Sequence, residues 1–193
     1  TPYMTLLAAF QALLARYTGQ VDIAVGSPIA NRNRQETEGL IGFFVNTLVL
    51  RGDLSGNPTF RELLSRIRRT TLLAYQHQDL PYDRLVSELA DRQRGQAALF
   101  QVNFALQNAP QPAVQLPRLT LSPLEAESGT EKFDLTLTMW EGADALAGNL
   151  SYSTDLFHRE TAVRLVGHFR TLLEGLAENP DRRPSDLPLL TDV

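Results

Sequence analysis

The hydrophobic residues of this chain follow two different periods in turn, and this alternation limits the folds that the chain can adopt. Helical spacing of three and four residues recurs over residues 3–17, 58–77 and 159–177, and in a short segment that begins near Pro81. Spacing by two, typical of strands, occurs over residues 21–26, 99–108, 133–140 and 147–153, with a further candidate at 119–124. The mixed order predicts an α+β fold, in which helices pack on a mixed sheet.

Residues 41–51 (IGFFVNTLVLR) carry apolar side chains on both faces of an extended segment, which predicts a buried strand. One carboxamide, Asn46, interrupts it. Buried amides usually satisfy neighbouring backbone groups, and that is one interpretation of Asn46. The other is that the amide binds a substrate. Gly42 in the same segment would allow a close approach by another backbone or a ligand.

Composition excludes several classes of function. The chain has no cysteine, which rules out disulfides, thiolate metal sites and a cysteine nucleophile. Its three histidines are widely spaced, so we expect no metal site. A net charge of −4 argues against nucleic acid as a partner. No apolar run approaches the roughly 20 residues of a membrane span, and no signal peptide is visible. These features predict a cytoplasmic protein without a membrane partner.

Catalytic motifs are also missing from the sequence. It contains no G-x-S-x-G elbow, no glycine-rich phosphate loop and no H-E-x-x-H pair. His77 and Asp79 could form a catalytic pair, but His77 ends a predicted helix and Asp79 precedes the next, so a capping role fits both better. The arginines of segment 58–77 are interpreted as a solvent-exposed helix face. These patterns predict one domain without a self-contained active site.

Four segments in order resemble core motifs of the condensation domains of nonribosomal peptide synthetases. These are residues 22–32 (DIAVGSPIANR), 41–51, 75–86 (YQHQDLPYDRLV) and 98–110 (ALFQVNFALQNAP). The resemblance is to the C-terminal lobe of that domain, over residues 1–180. Residues 181–193 resemble the start of a linker toward an adenylation domain. Thr1 is not an initiator Met, and the chain is expected to belong to a longer protein at both ends.

The resemblance implies a half-domain with the chloramphenicol acetyltransferase-like fold, one of two lobes around a substrate tunnel. In that family an acyl or peptidyl thioester on one carrier protein is joined by an amide bond to an aminoacyl thioester on another. The catalytic motif H-H-x-x-x-D-G lies in the other lobe and is absent from this sequence. We therefore expect no catalytic residue in this chain and no activity from it alone.

Site residues and partners are expected on the same basis. The tunnel wall is expected at Gly42, Phe43, Phe44, Val45, Asn46 and Thr47. The floor loop beneath the active site is expected at residues 27–34, with Ser27, Pro28, Asn31 and Arg32 as candidates, and a latch to the other lobe within residues 122–153. Implied partners are the N-terminal lobe, upstream and downstream carrier proteins and the adenylation domain. No cofactor is expected to bind directly, since phosphopantetheine on the carriers holds the substrates.

Two further interpretations remain open at this point. The chain could be a noncatalytic module that docks carrier or partner proteins. It could also be a free-standing acyltransferase, for which His77 would have to be the catalytic base. Within the resemblance, the motifs around residues 77–82 and 100–107 are most similar to the subtype that joins an L-configured donor to an L-configured acceptor.

Overall fold

The computed structural model describes residues 1–90, 99–107, 129–142 and 145–190. Five α-helices and five strands occur there in a mixed order. They are α1 (Pro2–Thr18), β1 (Asp22–Ile29), α2 (Gln35–Glu38), β2 (Asn46–Asp53), α3 (Phe60–Gln76), α4 (Tyr82–Ala90), β3 (Val102–Gln107), β4 (Leu135–Glu141), β5 (Leu146–Tyr152) and α5 (Arg159–Glu178), followed by a 3-10 turn at Pro184–Asp186. The α+β prediction is confirmed.

The strands form one mixed sheet with the order β2-β1-β3-β4-β5. The outer pairs β1–β2 and β4–β5 are antiparallel, whereas β1–β3 and β3–β4 are parallel. The expected hairpin is therefore β4–β5. The candidate strand at 119–124 lies outside the described residues.

The hydrophobic core lies between one face of this sheet and helices α1, α3 and α5. α1 is the central helix, and it is buried on nearly all sides from Leu6 to Leu14. Phe10 on α1 contacts Phe104 of β3 and Phe169 of α5, with ring centroids 6.0 and 5.8 Å apart. A helix that is apolar all round must be enclosed, so α1 requires α3 and α5 to cover its flanks.

The strand prediction for residues 41–51 is wrong in its first half. β2 begins at Asn46, and residues 41–45 belong to the connection between β1 and β2, which we call the 30–45 loop. Ile41 is fully exposed and Phe43 is 91% exposed. An apolar pattern predicts burial but does not identify what covers the residues, and nothing in the described part of the chain covers these two.

Two other boundaries also differ from expectation. β1 continues to Ile29, so Ser27 and Pro28 lie in a strand and not in a loop. Pro28 is tolerated because the pairing of β1 with β3 is confined to Val25 and Gly26. α3 begins at Phe60 and not at residue 58, and its cap is Thr59, whose hydroxyl accepts from the Glu62 backbone amide while the Glu62 carboxylate accepts from the Thr59 amide.

Residues 180–189 pack against the body of the fold. The carbonyls of Pro180 and Arg182 accept hydrogen bonds from the first two amides of α3, those of Arg61 and Phe60, at 2.9 Å each. The Arg16 guanidinium donates to the carbonyls of Pro184 and Leu187. Leu187 is 3% exposed and belongs to the core. The segment thus completes the N-terminal end of α3 and closes over the end of α1.

Within the described residues, the helices are too short or too polar to cross a membrane.

Candidate functional site

The candidate site is organised around a short turn, residues 77–81, that joins α3 to α4. Asn46, the first residue of β2, binds this turn with its whole carboxamide. Its Nδ2 donates to the carbonyls of Gln78 and Leu80, at 2.8 Å each, and its Oδ1 accepts from the Tyr82 amide at 3.0 Å. Tyr82 is the first residue of α4, so Asn46 acts as a remote cap for that helix.

A second asparagine ties the same turn to the other end of the 30–45 loop. Asn33 Nδ2 donates to Asp79 Oδ1 at 3.3 Å. Because Asn33 and Asn46 lie near opposite ends of the loop, both ends are attached to residues 77–81. This arrangement fixes the base of the loop while its tip projects outward.

Arg32 fixes the inside of the loop. Its guanidinium carbon lies 4.2 Å from the centroid of the Phe44 ring, a cation–π contact. The same guanidinium donates to the carbonyl of Thr37 at the end of α2. Asn31, just before it, has a positive φ of 52°, a conformation in which asparagine is better tolerated than most residues. The structure therefore brings the predicted floor-loop residue Arg32 into contact with the predicted tunnel residue Phe44.

The remaining tunnel candidates differ in exposure. Phe44 is half-buried beneath Arg32, whereas Gly42, Phe43 and Val45 are exposed. A Cβ atom at Gly42 would lie 3.0 Å from the Phe44 ring, so a larger residue there would require that ring to shift. Thr47 lies in β2 opposite Pro28, on the sheet face away from the core. The outward-facing group at the tip of the loop is thus apolar and aromatic.

Ser27 has a structural role in the described chain. It is 2% exposed, accepts from the Tyr3 hydroxyl at 2.7 Å and donates to the Phe104 carbonyl at 2.9 Å. Burial raises the pKa of Tyr3 despite this hydrogen bond, so the phenol stays protonated and remains the donor. Ser27 links α1, β1 and β3, and its neighbour Pro28 is exposed on the opposite face.

An aromatic cluster next to the turn was not predicted from the sequence. Phe100 packs against Tyr82 and Phe133, with ring centroids 5.5 and 5.1 Å away. A Cβ atom at Gly26 would lie 2.1 Å from the Phe100 ring, so only glycine permits this packing. A glycine inside a strand signals such a close approach, and Gly26 was the available clue.

Catalytic groups do not assemble among the described residues. His77 is the C-cap of α3, in agreement with its predicted structural role, and Asp79 binds Asn33. His158 caps α5 without a side-chain hydrogen bond. The described ranges contain no group of three or more ligating side chains that could hold a metal ion.

The comparisons with known proteins agree with this description. The family model for the condensation domain matches residues 1–193. Among curated relatives, a linear gramicidin synthase of Brevibacillus parabrevis is 55% identical over the whole chain, and a surfactin synthase of Bacillus subtilis is 43% identical. The chain spans only 4% and 5% of these two proteins.

Solved structures share the fold across nearly the whole chain. A four-domain nonribosomal peptide synthetase bound to AMP and glycine superimposes with a TM-score of 0.90 at 22% identity, over 100% of this chain and 16% of that one. The X-domain from teicoplanin biosynthesis superimposes with a TM-score of 0.85 at 30% identity, over 97% of this chain and 44% of that one. The fold is that of chloramphenicol acetyltransferase-like domains, and the chain belongs to the condensation-domain family of nonribosomal peptide synthetases.

Proposed function

We propose that this chain is the C-terminal lobe of a condensation domain and forms one wall of its substrate tunnel. The observation that carries the proposal is a difference in coverage. The family model spans every residue of the chain, yet the chain corresponds to less than half of a single-domain structural neighbour. The whole chain therefore matches the family, but it has only about half the length of a complete domain. A chain of this size corresponds to one of the two lobes.

The reaction of the complete protein is amide-bond formation between an acyl or peptidyl thioester and an aminoacyl thioester. The 193-residue chain lacks the H-H-x-x-x-D-G motif, and its histidines occupy helix ends or packing positions. The group that accepts the proton from the attacking amine must then come from the other lobe. This lobe alone is inactive.

Within the tunnel, the tip of the 30–45 loop contacts substrate and the rest of the site holds that tip in place. Phe43 is the contacting residue, since it is exposed and lies next to Phe44, which is held by Arg32. Asn46 is a positioning residue, because its Nδ2 and Oδ1 atoms already make three hydrogen bonds to the backbone of residues 78–82. Asn31 and Arg32 form the floor, supported by Ser27 and Pro28 in β1.

The partners of the lobe are the N-terminal lobe, the upstream and downstream carrier proteins and an adenylation domain. Phosphopantetheine of the carriers brings the thioesters to the tunnel, and no cofactor binds this chain itself. The latch to the other lobe is proposed within residues 122–153, of which 129–142 and 145–153 are described and include β4 and β5.

The test uses the full-length synthetase that contains this chain. Phe43→Asp is expected to lower the rate of amide formation at least about tenfold, because a substrate that is misplaced in the tunnel reacts much more slowly. Product is measured by mass spectrometry of the carrier-bound thioesters. Loading of amino acids onto the carriers should be unchanged. Leu156→Asp is the matched control, since Leu156 is 60% exposed but lies in the turn before α5.

Two results would contradict the proposal. Equal rates for Phe43→Asp and the wild type would remove the loop tip from the tunnel. Amide formation by the isolated 193-residue chain would show a self-contained active site and overturn the assignment as an inactive lobe.

A further inference from the structure

The aromatic cluster of Tyr82, Phe100 and Phe133 forms a second, small apolar core. Phe100 is only 5% exposed, yet in the described part of the chain none of the three rings belongs to the main hydrophobic core. Val25 faces that main core, so its neighbour Gly26, and the Phe100 ring that covers Gly26, lie on the opposite face of the sheet. The cluster is therefore separated by the sheet from helices α1, α3 and α5.

The lower part of this cluster is fixed to the sheet. Phe100 and Phe133 stand just before β3 and β4, and the residues that follow them are hydrogen-bonded to each other. The Asp134 amide donates to the Gln101 carbonyl, and the Asp134 carbonyl accepts from the Ser153 amide, at 3.0 Å each. The two phenylalanine rings are thus held by backbone that is tied to three neighbouring segments.

Tyr82 connects this fixed part to the turn at residues 77–81. Its ring packs on Phe100 with the centroids 5.5 Å apart, while its backbone amide donates to Asn46 Oδ1 at 3.0 Å. Burial raises the pKa of the Tyr82 phenol, and a hydrogen bond with the backbone of Leu99 opposes this increase. One residue is thus attached to β2 through its amide and to the aromatic cluster through its side chain.

The two attachments together determine where the turn lies above the sheet. Asn46 alone is a single side chain, about which the turn could pivot, and the Phe100 ring blocks that motion by supporting Tyr82. The same turn holds the base of the 30–45 loop through the hydrogen bond between Asn33 and Asp79. A shift of Tyr82 would therefore move the loop, and a displacement of about 1 Å can lower a reaction rate about 100-fold.

We propose that Phe100 is a positioning residue for amide formation, although it lies outside the predicted tunnel wall and floor loop. Its ring, seated on Gly26, supports Tyr82, and through Tyr82 it fixes the turn and the tip of the 30–45 loop relative to the sheet. Phe133 supports Phe100 from the side. This inference rests on the proposed function and adds the residue that sets the height of the loop.

The test measures single turnovers in the full-length synthetase. The donor thioester is loaded on its carrier, and the acceptor is a soluble aminoacyl thioester of N-acetylcysteamine. Phe100→Leu should lower the rate constant at saturating acceptor by at least about tenfold, because the loop is misplaced. The acceptor concentration for half-saturation should change less than about twofold, because Phe100 does not contact the acceptor. Loss of folded molecules reduces the amplitude of a single turnover and not its rate constant.

The matched control is Phe169→Leu, the same change in the main core. Phe169 is 6% exposed and packs on Phe10, on the other side of the sheet from the cluster. It should lower stability but change the rate constant less than about twofold. Hydrogen exchange supplies a second readout, since the Tyr82 amide should exchange faster in Phe100→Leu than in Phe169→Leu. Phe133→Leu, at a half-buried position, should change both readouts in the same direction as Phe100→Leu, by a smaller factor.

The outcomes separate this inference from the proposed function. Wild-type rate constants for Phe100→Leu and Phe133→Leu would overturn the positioning role, while a slow Phe43→Asp variant would leave the proposed function intact. Equal decreases for Phe100→Leu and Phe169→Leu would indicate a general effect of core substitutions and would also overturn it. A Phe43→Asp variant as fast as the wild type would overturn the loop's proposed contact with substrate, and this inference with it.

Discussion

At Asn46, both amide hydrogens and the carbonyl oxygen bind backbone groups of residues 78–82. The side chain points to the same side of β2 as Leu48 and Leu50, toward the helices. The question of why an apolar segment carries an amide is therefore answered by local structure. The turn between α3 and α4 presents two carbonyls and one amide that need partners, and one carboxamide supplies all three.

Replacing Asn46 with alanine should destabilise the protein. Three hydrogen bonds are lost, and each contributes about 0.5–1.5 kcal/mol, so we expect a decrease of about 1–3 kcal/mol in the free energy of unfolding. Urea unfolding measures this decrease in the free energy of unfolding. Asn149→Ala on the exposed edge strand β5 is the control and should change stability by less than about 0.5 kcal/mol. An unchanged stability for Asn46→Ala would mean that the turn finds other partners.

The close contact between Gly26 and Phe100 leads to a second prediction at the residue scale. A methyl group at position 26 would overlap the Phe100 ring, so Gly26→Ala should destabilise by about 1–3 kcal/mol. Phe100→Ala removes the ring and should make the second substitution much less damaging, which a double-mutant cycle of unfolding free energies detects. Gly39→Ala meets no atom within 4 Å and serves as the control. Additive effects at positions 26 and 100 would contradict the contact.

At the scale of elements, periodicity predicted the helices well and the strands less well. α1, α3 and α5 bury one broad face or more, and a long amphipathic pattern rarely arises in anything but a helix. Residues 41–45 show the limit of the same reasoning. Exposed apolar side chains give the same sequence pattern as apolar side chains in a core, so a strand was predicted where the structure has an exposed loop.

Side-chain contacts between residues that are far apart in the sequence could also not be predicted. The pairing of Asn46 with residues 78–82 depends on how β2 and α3 pack, and no local pattern encodes it. The same holds for Arg32 and Phe44, whose contact depends on the path of the 30–45 loop. Gly26, in contrast, indicates a close approach by another group from the sequence alone. The sequence does not identify Phe100 as that group.

The C-terminal segment gives a prediction at the element scale. Leu187→Ala should release residues 180–189, because burial of Leu187 holds the segment on the core. Large-to-small changes at such positions cost about 2–5 kcal/mol. Hydrogen exchange of the Phe60 and Arg61 amides should then accelerate, since their acceptors are the carbonyls of Arg182 and Pro180. Leu190→Ala, at a position that is 72% exposed, should leave exchange unchanged.

For the whole molecule, the exposed apolar residues are unevenly distributed. Several of them lie at the tip of the 30–45 loop, on the outer face of α3 at Leu72 and Leu73, and along α5 and the edge strand β5, where Val163 and Leu146 are at least half exposed. Contiguous patches of this kind mark interaction sites in soluble proteins. Their positions are compatible with the proposal that the chain is a lobe with several neighbours.

We expect the isolated chain to self-associate as its concentration rises. Light scattering should detect oligomers, and Ile41→Ser/Phe43→Ser should reduce them, because these two residues form the most exposed apolar surface described. Val21→Ser, at a position that is 53% exposed near the start of β1, is the control. A monodisperse monomer at high concentration would indicate that the loop tip does not drive association.

The docking of residues 180–189 has a practical consequence for module exchange. A recombination junction placed at the end of α5 would leave the first amides of α3 without their acceptors and open the core at Leu187. A junction placed after residue 189 would transfer the fold together with residues 180–189, which close its core. Chimeric synthetases joined at the later position should therefore inherit this fold intact, whatever domain is attached downstream.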